Sequence, residues 1–569
     1  MTNAHLGSFW IFREGRKEVN GRLFLQEVLR ALDDVLRKAT NDNLIAALLL
    51  AGQLESALAD ENLFATPLAQ ATTDFVAALL VGDKPSGGNV LRSKLDAIKI
   101  PTKLTISPPE GFAYYALHPS DFVRTADEVN VGDASISVLG IRSIGTTLSA
   151  VVAAALRQKG SRVERITVRP TGHPYSRLID FSPQQSHWIQ NRLSEDSHFL
   201  VVDEGPGRSG SSFLSVAEAL TRAGVSERSV TLIGSRAVNP ADLCADNAVS
   251  RWSRFRFLCP ATQTYDRFKH DFYAGGGEWR RFFQLDSAWP PCWPQMERLK
   301  FLSADRRHLF KFEGFGSFGR TVLERAQLLA HSGFSPAAHN AGDGMIRYAV
   351  EEGPPCAARQ VSTALLQRIA EYCAFRSREF AFGRTSISQL EDMARFNLQK
   401  EFGADVEFPP GSLMTANPVL VDGRMQPHEW IRRRDSNFVK VDGTSHGDDH
   451  FFPGPADIAW DLAGAIVEWD LDESASQFLL GHFQRLTGDD ARRRIDAFLL
   501  AYTVFRLGYC GMALTTVTGT PEEQRLARAC EKYRFLASDL LRSSRLRRAG
   551  VAISSFATEG IPFSPGMDD

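Results

Sequence analysis

The spacing of apolar residues divides the chain into three stretches of different character. Apolar positions recur at helical spacing over residues 23–36 and 43–58. From about residue 133, short apolar runs of strand length, such as 136–140 and 199–202, alternate with helical stretches. This alternation predicts a parallel sheet with crossover helices. Long helical patterns return near the end, for example over residues 491–507.

A stretch rich in glycine and proline separates the second pattern from the third. It covers residues 263–298 and includes Gly275-Gly276-Gly277. Strand-like runs follow at 309–312 and 345–350, before the long helices. The fold class is therefore predicted as α/β, with a parallel-sheet domain, a second α+β domain of two lobes and a mainly helical beginning. The predicted boundaries are 1–105 for the helical region, 106–262 for the parallel-sheet domain, 263–299 for an ordered connector and 300–550 for the α+β domain.

Composition narrows the class of protein. At roughly 100–200 residues per domain, the chain of 569 residues has room for about three domains. A net charge of −2 gives no reason to expect a nucleic-acid or membrane partner. The seven cysteines are dispersed without a CxxC pair, which disfavours a zinc site and favours a reducing compartment. The first residues contain no apolar targeting segment, so a cytoplasmic location is expected. The oligomeric state is not indicated.

The run HFLVVDEGPGRSGSSFLSVAEAL carries the first candidate chemistry. A buried strand, residues 199–202, is followed by Asp203 and Glu204, a loop of small residues, and a helix. Such a loop presents backbone N–H groups, and the helix start adds a partial positive charge, so the two favour a phosphate. The two carboxylates lie where ligands bind in parallel sheets and suit vicinal sugar hydroxyls. The pattern predicts a site for a sugar phosphate.

This run resembles the signature of the type I phosphoribosyltransferase family. The resemblance covers residues of about 106–260 and implies that Asp203 and Glu204 hold the ribose hydroxyls in the catalytic site. The 5-phosphate would bind the loop that contains Gly207, Arg208, Ser209, Gly210, Ser211 and Ser212. The sequence departs from the signature in having Glu as the second acid and one extra residue in the GPGR stretch.

Two further stretches fit the same resemblance. The strand, turn and helix of residues 137–156 correspond to the loop that holds pyrophosphate in the family, which implies roles for Arg142, Ser143, Gly145 and Thr146. Arg169 follows the next strand and would neutralise departing pyrophosphate during Mg2+-dependent transfer. Two other interpretations remain: a Rossmann-like sheet with an acidic turn, or a regulator that binds the ligand without catalysis.

The second domain resembles aminoglycoside-phosphotransferase-like kinases. Residues 308–336 give a strand with Lys311, a turn with glycine, and a helix with Glu324. In that family the lysine holds the nucleotide phosphates and pairs with the glutamate. The resemblance therefore implies an ATP site at Lys311 and Glu324.

A later segment supports the resemblance and alters its catalytic residues. GPADIAWDLA matches the family's GDPxxDLA, and Asp442 then matches the magnesium-binding Asp. In this register Glu429 replaces the metal-binding Asn, and Arg424 replaces the catalytic base. Because an arginine stays protonated, it does not accept a proton. Either Asp422 takes over as catalytic base or the domain does not run the usual phosphoryl transfer.

The segment HGDDH offers a competing register. His446-Gly447-Asp448 is a literal HGD, but Pro453 stands where the metal-binding Asn is expected. The same residues are open to interpretation as a divalent-metal cluster or as a polar loop beside the magnesium Asp. The alignment that places Arg424 at the position of the catalytic base and Asp442 at that of the magnesium-binding Asp explains more of the segment.

Together these patterns predict a bifunctional enzyme. The first domain would transfer a 5-phosphoribosyl group between phosphoribosyl pyrophosphate (PRPP) and an unknown acceptor, with Mg2+. The second would bind ATP and phosphorylate a related metabolite. The alternatives are a PRPP or nucleotide sensor with a pseudokinase domain, and a nucleotide-targeting defence effector. The expected partners are PRPP or a related phosphoribosyl metabolite, and ATP.

Overall fold

A computed structural model describes residues 9–555, except 130, 133, 174, 284–288, 359–360, 383–388, 544–545 and 547–549. The chain begins with helices and one small sheet. Its elements are β1 (Lys17–Asn20), α1 (Gly21–Arg37), α2 (Asn41–Asp60), α3 (Thr66–Leu80), α4 (Gly88–Asp96) and β2 (Lys103–Ile106). β1 and β2 pair antiparallel. The side chains of Asn20 and Thr40 cap α1 and α2 by accepting backbone N–H groups three residues later.

A parallel sheet of five strands follows. The elements in this part are α5 (Glu110–Tyr114), α6 (Thr125–Glu128), β3 (Ile136–Ile141), α7 (Ile144–Gln158), β4 (Val163–Val168), β5 (Thr171–His173), β6 (Ser176–Leu178), α8 (Pro183–Ser194), β7 (His198–Val202), α9 (Ser211–Arg222), β8 (Val230–Ile233), α10 (Ala248–Trp252) and β9 (Arg256–Leu258). The strand order is β4-β3-β7-β8-β9, and each neighbouring pair is parallel. β3 is buried along its whole length, as expected for a central strand covered on both faces.

An antiparallel sheet, one short helix and one long helix form a small lobe. They comprise β10 (Phe272–Tyr273), α11 (Arg280–Phe283), β11 (Lys300–Leu302), β12 (His308–Phe312), α12 (Gly316–His331), β13 (Ala338–Asn340) and β14 (Met345–Ala349). The strand order is β10-β11-β12-β14-β13. The edge strand β10 comes from the segment that sequence analysis treats as a connector, so part of that segment belongs to this sheet.

A mainly helical large lobe completes the chain. Its elements are α13 (Thr363–Glu379), α14 (Leu390–Phe402), β15 (Asp405–Glu407), β16 (Val419–Leu420), β17 (Trp430–Arg432), β18 (Phe438–Lys440), β19 (Pro455–Ala456), α15 (Ala459–Glu468), α16 (Glu473–Thr487), α17 (Ile495–Leu514), α18 (Pro521–Arg542) and β20 (Ala552–Ser555). By length and composition α17 is apolar enough to cross a membrane, but most of it is buried inside this lobe. A small antiparallel sheet and a helical lobe with a cleft between them make up the C-terminal part, which agrees with the two lobes predicted for the α+β domain.

The parts are packed against one another. One apolar core contains Leu48 of α2, Leu148 of α7 and Phe312 of β12. The N-terminal residues cross to the large lobe, where the backbone N–H of Trp10 donates to Asn397 Oδ1 at 2.8 Å. The helical beginning therefore shares cores and hydrogen bonds with both later parts.

A buried ion pair fastens α2 and α3 to the parallel sheet. Arg165 of β4 and Glu55 of α2 have almost no exposed side chain, and two N–O distances of 2.9 Å join them. Arg165 Nε also donates to Asp74 Oδ1 at 2.8 Å. Removing one member of such a pair leaves an uncompensated buried charge.

We expect Arg165→Met to lower the free energy of unfolding by about 3–5 kcal/mol. Urea titration is the measurement. Arg92→Met is the matched control, because Arg92 is a partly exposed arginine that binds Asp33, and its loss should leave the free energy of unfolding almost unchanged. The double variant Arg165→Met/Glu55→Leu should recover much of the loss. Equal effects of Arg165→Met and Arg92→Met would contradict this account.

Candidate functional site

Among the described residues, one large cavity lies at the carboxyl ends of the parallel strands. We call it the front cavity; its volume is about 1230 Å³. The parallel-sheet domain supplies one wall and the small lobe supplies another, through residues such as Tyr273, Met296 and Glu297. The front cavity is therefore built by both parts.

Asp203 and Glu204 lie on the wall of the front cavity, directly after β7. Burial raises the pKa of Asp203 to about 7 although it accepts backbone N–H groups from Glu204 and Gly145. Burial, and then the nearby Asp203 carboxylate, raise the pKa of Glu204 to about 8. A side chain at Gly111 would place its Cβ 2.4 Å from Glu204 Oε1, so this glycine makes room for the carboxylate. Both acids face the space that a ligand would occupy.

The loop after the acids contributes fewer residues than sequence analysis predicts. Gly207 and Ser212 line the front cavity, whereas Arg208 is exposed and absent from its wall. Ser209 Oγ donates to Ser211 Oγ at 3.0 Å, and both serines are buried. Gly210 has φ +67°, and a Cβ there would meet Leu243 and Trp252 at 3.0–3.1 Å.

These contacts show what else constrains the loop. Gly210 is constrained by its left-handed backbone conformation and by apolar packing. The hydroxyls of Ser209 and Ser211 bond within the loop. The groups that remain for a phosphate are the backbone at Gly207 and Ser212 at the start of α9.

On the opposite side, two arginines are held by a carboxylate that sequence analysis does not predict. Arg142 Nη1 lies 3.1 Å from Asp60 Oδ1, and Arg169 also pairs with Asp60. Both arginines and Ser143 line the front cavity. Asp60 ends α2, about 80 residues earlier in the chain, and no local motif marks it.

The other two residues predicted for pyrophosphate have structural contacts. The N–H of Gly145 bonds to the Asp203 carboxylate. Thr146 is buried, and its Oγ1 lies 2.8 Å from Ser56 Oγ of α2. Thr146 is not among the residues that line the front cavity, because its side chain joins two helices.

The second cavity lies between the small and large lobes. We call it the cleft; its volume is about 430 Å³. Lys311 of β12 reaches into it, where Nζ contacts an Asp442 oxygen and lies 2.9 Å from Glu313 Oε1. Lys300 of β11 is the direct cross-strand neighbour of Lys311 and lies 3.5 Å from the other Asp442 oxygen. Burial acts to raise the pKa of Asp442, but the two lysines hold it well below its usual value.

Glu324 does not join this group. It is exposed on α12, and Glu313 takes the place beside Lys311 that sequence analysis assigns to Glu324. The neighbouring Arg325 points inward instead, with Nη2 3.0 Å from Asp448 Oδ2. The reason is helical phase, because the buried face of α12 contains Val322, Arg325, Ala326 and Leu329.

Glu429, Asp442 and His446 form a candidate metal site beside the cleft. Each offers a ligand atom, and these atoms lie within 4.8 Å of one another. Two carboxylates and an imidazole are suitable ligands for a divalent ion. Burial raises the pKa of Glu429 to about 7 although Lys440 Nζ is 2.8 Å away.

The rest of the HGDDH segment is not part of this site. Asp448 binds Arg325, and His450 Nε2 lies 3.0 Å from the hydroxyl of Tyr115. His446 is thus the member of the segment that joins Glu429 and Asp442. The sequence left the segment open between a metal cluster and a polar loop, because spacing alone does not show which of its side chains lies beside Glu429.

Asp422 lies outside the cleft. It is fully buried, accepts from the hydroxyl of Tyr372 at 2.6 Å and is 3.3 Å from Lys440 Nζ. Arg424, in contrast, lines the cleft, with its guanidinium carbon 5.2 Å from the ring centre of Tyr509. The carboxylate of Asp461 fixes this loop by accepting the N–H groups of Asp422 and Gly423 at 2.8 and 2.9 Å. These contacts disfavour Asp422 as the replacement catalytic base.

Comparisons with known proteins give limited similarity. No family model and no curated protein matches the chain. Among solved structures it is similar to choline kinase LicA from Streptococcus pneumoniae (13% identity, TM-score 0.27, 42% of this chain and 89% of that one). It is also similar to a choline kinase from Cryptosporidium parvum (10% identity, TM-score 0.31, 45% of this chain and 89% of that one). A third similar structure is a choline/ethanolamine kinase family protein from Mesorhizobium loti (12% identity, TM-score 0.28, 44% of this chain and 87% of that one). Likeness at this level assigns no activity or substrate. The phosphoribosyltransferase resemblance rests on the residues alone.

Proposed function

We propose that the cleft binds ATP with a divalent metal ion and transfers its γ-phosphoryl group. The observation that carries this proposal is the pair of lysines on the Asp442 carboxylate, next to Glu429 and His446. At a kinase-like cleft, the lysines suit the phosphates of a nucleotide, and the carboxylate between them suits the metal ion that accompanies those phosphates.

The two lysines and the acids have separate roles in this proposal. With ATP bound, Lys311 and Lys300 donate to phosphate oxygens, and Asp442 is then free for the metal. Glu429 and His446 complete the ligand set. The metal, when bound, neutralises charge that develops on the phosphates. Arg376 donates to the carbonyl oxygens of Gly443 and Leu420 at 2.8 Å, which holds the loops that carry these residues.

A second function is proposed for the front cavity, which we infer binds a 5-phosphoribosyl compound such as PRPP. Asp203 and Glu204 face the cavity and suit two vicinal hydroxyls, while Ser212 at the start of α9 suits the 5-phosphate. Arg142 and Arg169 lie on the side where pyrophosphate, with Mg2+, would be bound. Transfer of the phosphoribosyl group to an acceptor is the activity this arrangement favours.

The first test concerns nucleotide binding. We expect Asp442→Asn and Lys311→Met each to weaken binding of ATP with Mg2+ by roughly 10-fold or more, since each removes a charge-assisted contact. Isothermal titration calorimetry is the measurement. Glu324→Gln is the matched control because its side chain is exposed, and its affinity should equal that of the wild type. A wild type that binds no ATP, or equal affinities in all four proteins, would contradict the proposal.

The second test concerns the front cavity. The double variant Asp203→Asn/Glu204→Gln should bind PRPP at least about 10-fold more weakly, because neutral amides accept weaker hydrogen bonds from hydroxyls. Its affinity for ATP should be unchanged. Calorimetry with PRPP and then with ATP separates the two sites. Unchanged PRPP affinity in the double variant would place that ligand elsewhere.

A further inference from the structure

The cleft has Arg424 where the resemblance to aminoglycoside-phosphotransferase-like kinases places the catalytic base, and no unpaired acid on its described wall replaces it. Among the described residues, the acids that line the cleft are Glu297, Glu351, Glu429 and Asp442. Each already binds a cation. Glu351 pairs with Arg433, Glu297 with Lys300, Glu429 with Lys440 and Asp442 with both cleft lysines. A hydroxyl acceptor would therefore find no free carboxylate here to take its proton. The histidine on the described wall, His428, is stacked on the ring of Trp279, with ring centroids 5.6 Å apart.

Arg424 differs from these acids because its charge has no salt-bridge partner among the described residues. The other lysine and arginine side chains on the described cleft wall each have an acidic neighbour: Lys300 and Lys311 contact Asp442, and Arg506 Nε is 3.2 Å from Glu468. Within the described part of the chain, no carboxylate lies within salt-bridge distance of the Arg424 guanidinium. Its contact is with the face of Tyr509. The acids that interact with its charge, Asp449 and Glu429, lie beyond salt-bridge distance. A positive charge that lines a cavity and has no directly bound carboxylate is suited to an anionic ligand.

This pairing of features points to a particular class of acceptor. Proton removal is needed when a hydroxyl attacks the γ-phosphorus, but not when the nucleophile is already an anion. A phosphate monoester carries about −1.5 to −2 charges at neutral pH, and a guanidinium binds its oxygens in a bidentate manner. We propose that the cleft transfers the γ-phosphoryl group of ATP to the phosphate of a phosphorylated acceptor, and that Arg424 holds that phosphate.

The reaction balances without a base. An oxygen of the acceptor phosphate forms a bond to the γ-phosphorus, and the bond from that phosphorus to the β,γ-bridging oxygen breaks. ADP leaves with the bonding electron pair. The acceptor loses no proton, and the product is a phosphoanhydride. Arg424 then has the function of lowering the repulsion between two anionic groups as they approach.

The position of the front cavity supports a phosphorylated sugar as the acceptor. Met296 and Glu297 line both cavities. The Tyr115 hydroxyl, also on the front wall, lies 3.8 Å from Met296 Sδ. A sugar phosphate bound or released in the front cavity would thus be one layer of side chains from the cleft.

This inference rests on the proposed ATP site, so the experiment measures ATP binding first and acceptors second. Wild-type protein with ATP and Mg2+ is given ribose 5-phosphate, inorganic phosphate, ribose or choline. ADP release is followed, and phosphorus NMR identifies the product. We expect ribose 5-phosphate or inorganic phosphate to stimulate ADP release and to give a phosphoanhydride signal. Ribose and choline should give none.

Variants test the role of Arg424. Arg424→Gln should lower kcat/KM for the phosphorylated acceptor by roughly 10- to 100-fold while ATP affinity stays unchanged, because one charge-assisted contact is lost. Arg424→Lys should recover part of the loss. The matched control is Arg493→Gln, an exposed arginine of the large lobe, which should leave kcat/KM unchanged.

Several outcomes would overturn the inference. Equal stimulation by ribose and ribose 5-phosphate, stimulation by choline, or a new phosphate monoester would show a hydroxyl acceptor. Binding of ATP with no response to either phosphate probe would also overturn it and favour a pseudokinase. If ATP does not bind, the proposed function itself fails. Should Arg424→Gln not fold, the comparison of ribose with ribose 5-phosphate on the wild type still decides.

Discussion

The Asp442 carboxylate, bound by two lysines from the opposite lobe, is the interaction on which the cleft depends. It follows β18 of the large lobe, while Lys300 and Lys311 come from adjacent strands of the small lobe. Burying three charges is costly unless they are paired, and here they compensate one another across the cleft. A nucleotide and its metal ion would supply the same compensation from outside. The buried charges of the cleft are thus paired with one another without a ligand, and the same groups are suited to bind one.

Packing makes the front cavity and the cleft neighbours. The N-terminal segment contacts the large lobe, and one apolar core includes helices of the first part and strand β12. The segment after Asp442 reaches the front wall, where His450 lies 3.0 Å from the Tyr115 hydroxyl. Contacts of this kind permit a ligand in one cavity to affect the other, although coupling itself requires two distinct states.

Local motifs were predictable from the sequence. Which face of a helix is buried, and which distant elements supply side chains to a site, were not. The strand, acid pair and helix at residues 199–223 occur as expected because adjacent residues set them. Glu324 and Arg325 are adjacent on α12, but only Arg325 lies on its buried face. Tertiary packing decides which face of a helix is buried, and a local motif does not show it. Asp60 and Lys300 were missed for another reason: each reaches its site from a distant element. The inward position of Arg424 was predictable, because the register of the loop follows from Asp442.

The most direct test of the account is a crystal structure of the full chain with Mg2+ and a non-hydrolysable ATP analogue. The account predicts that the nucleotide occupies the cleft with its phosphates on Lys311 and Lys300. The metal ion should lie on Asp442 with Glu429 or His446. A nucleotide bound elsewhere, with the contacts between the two lysines and Asp442 unchanged, would contradict the central claim.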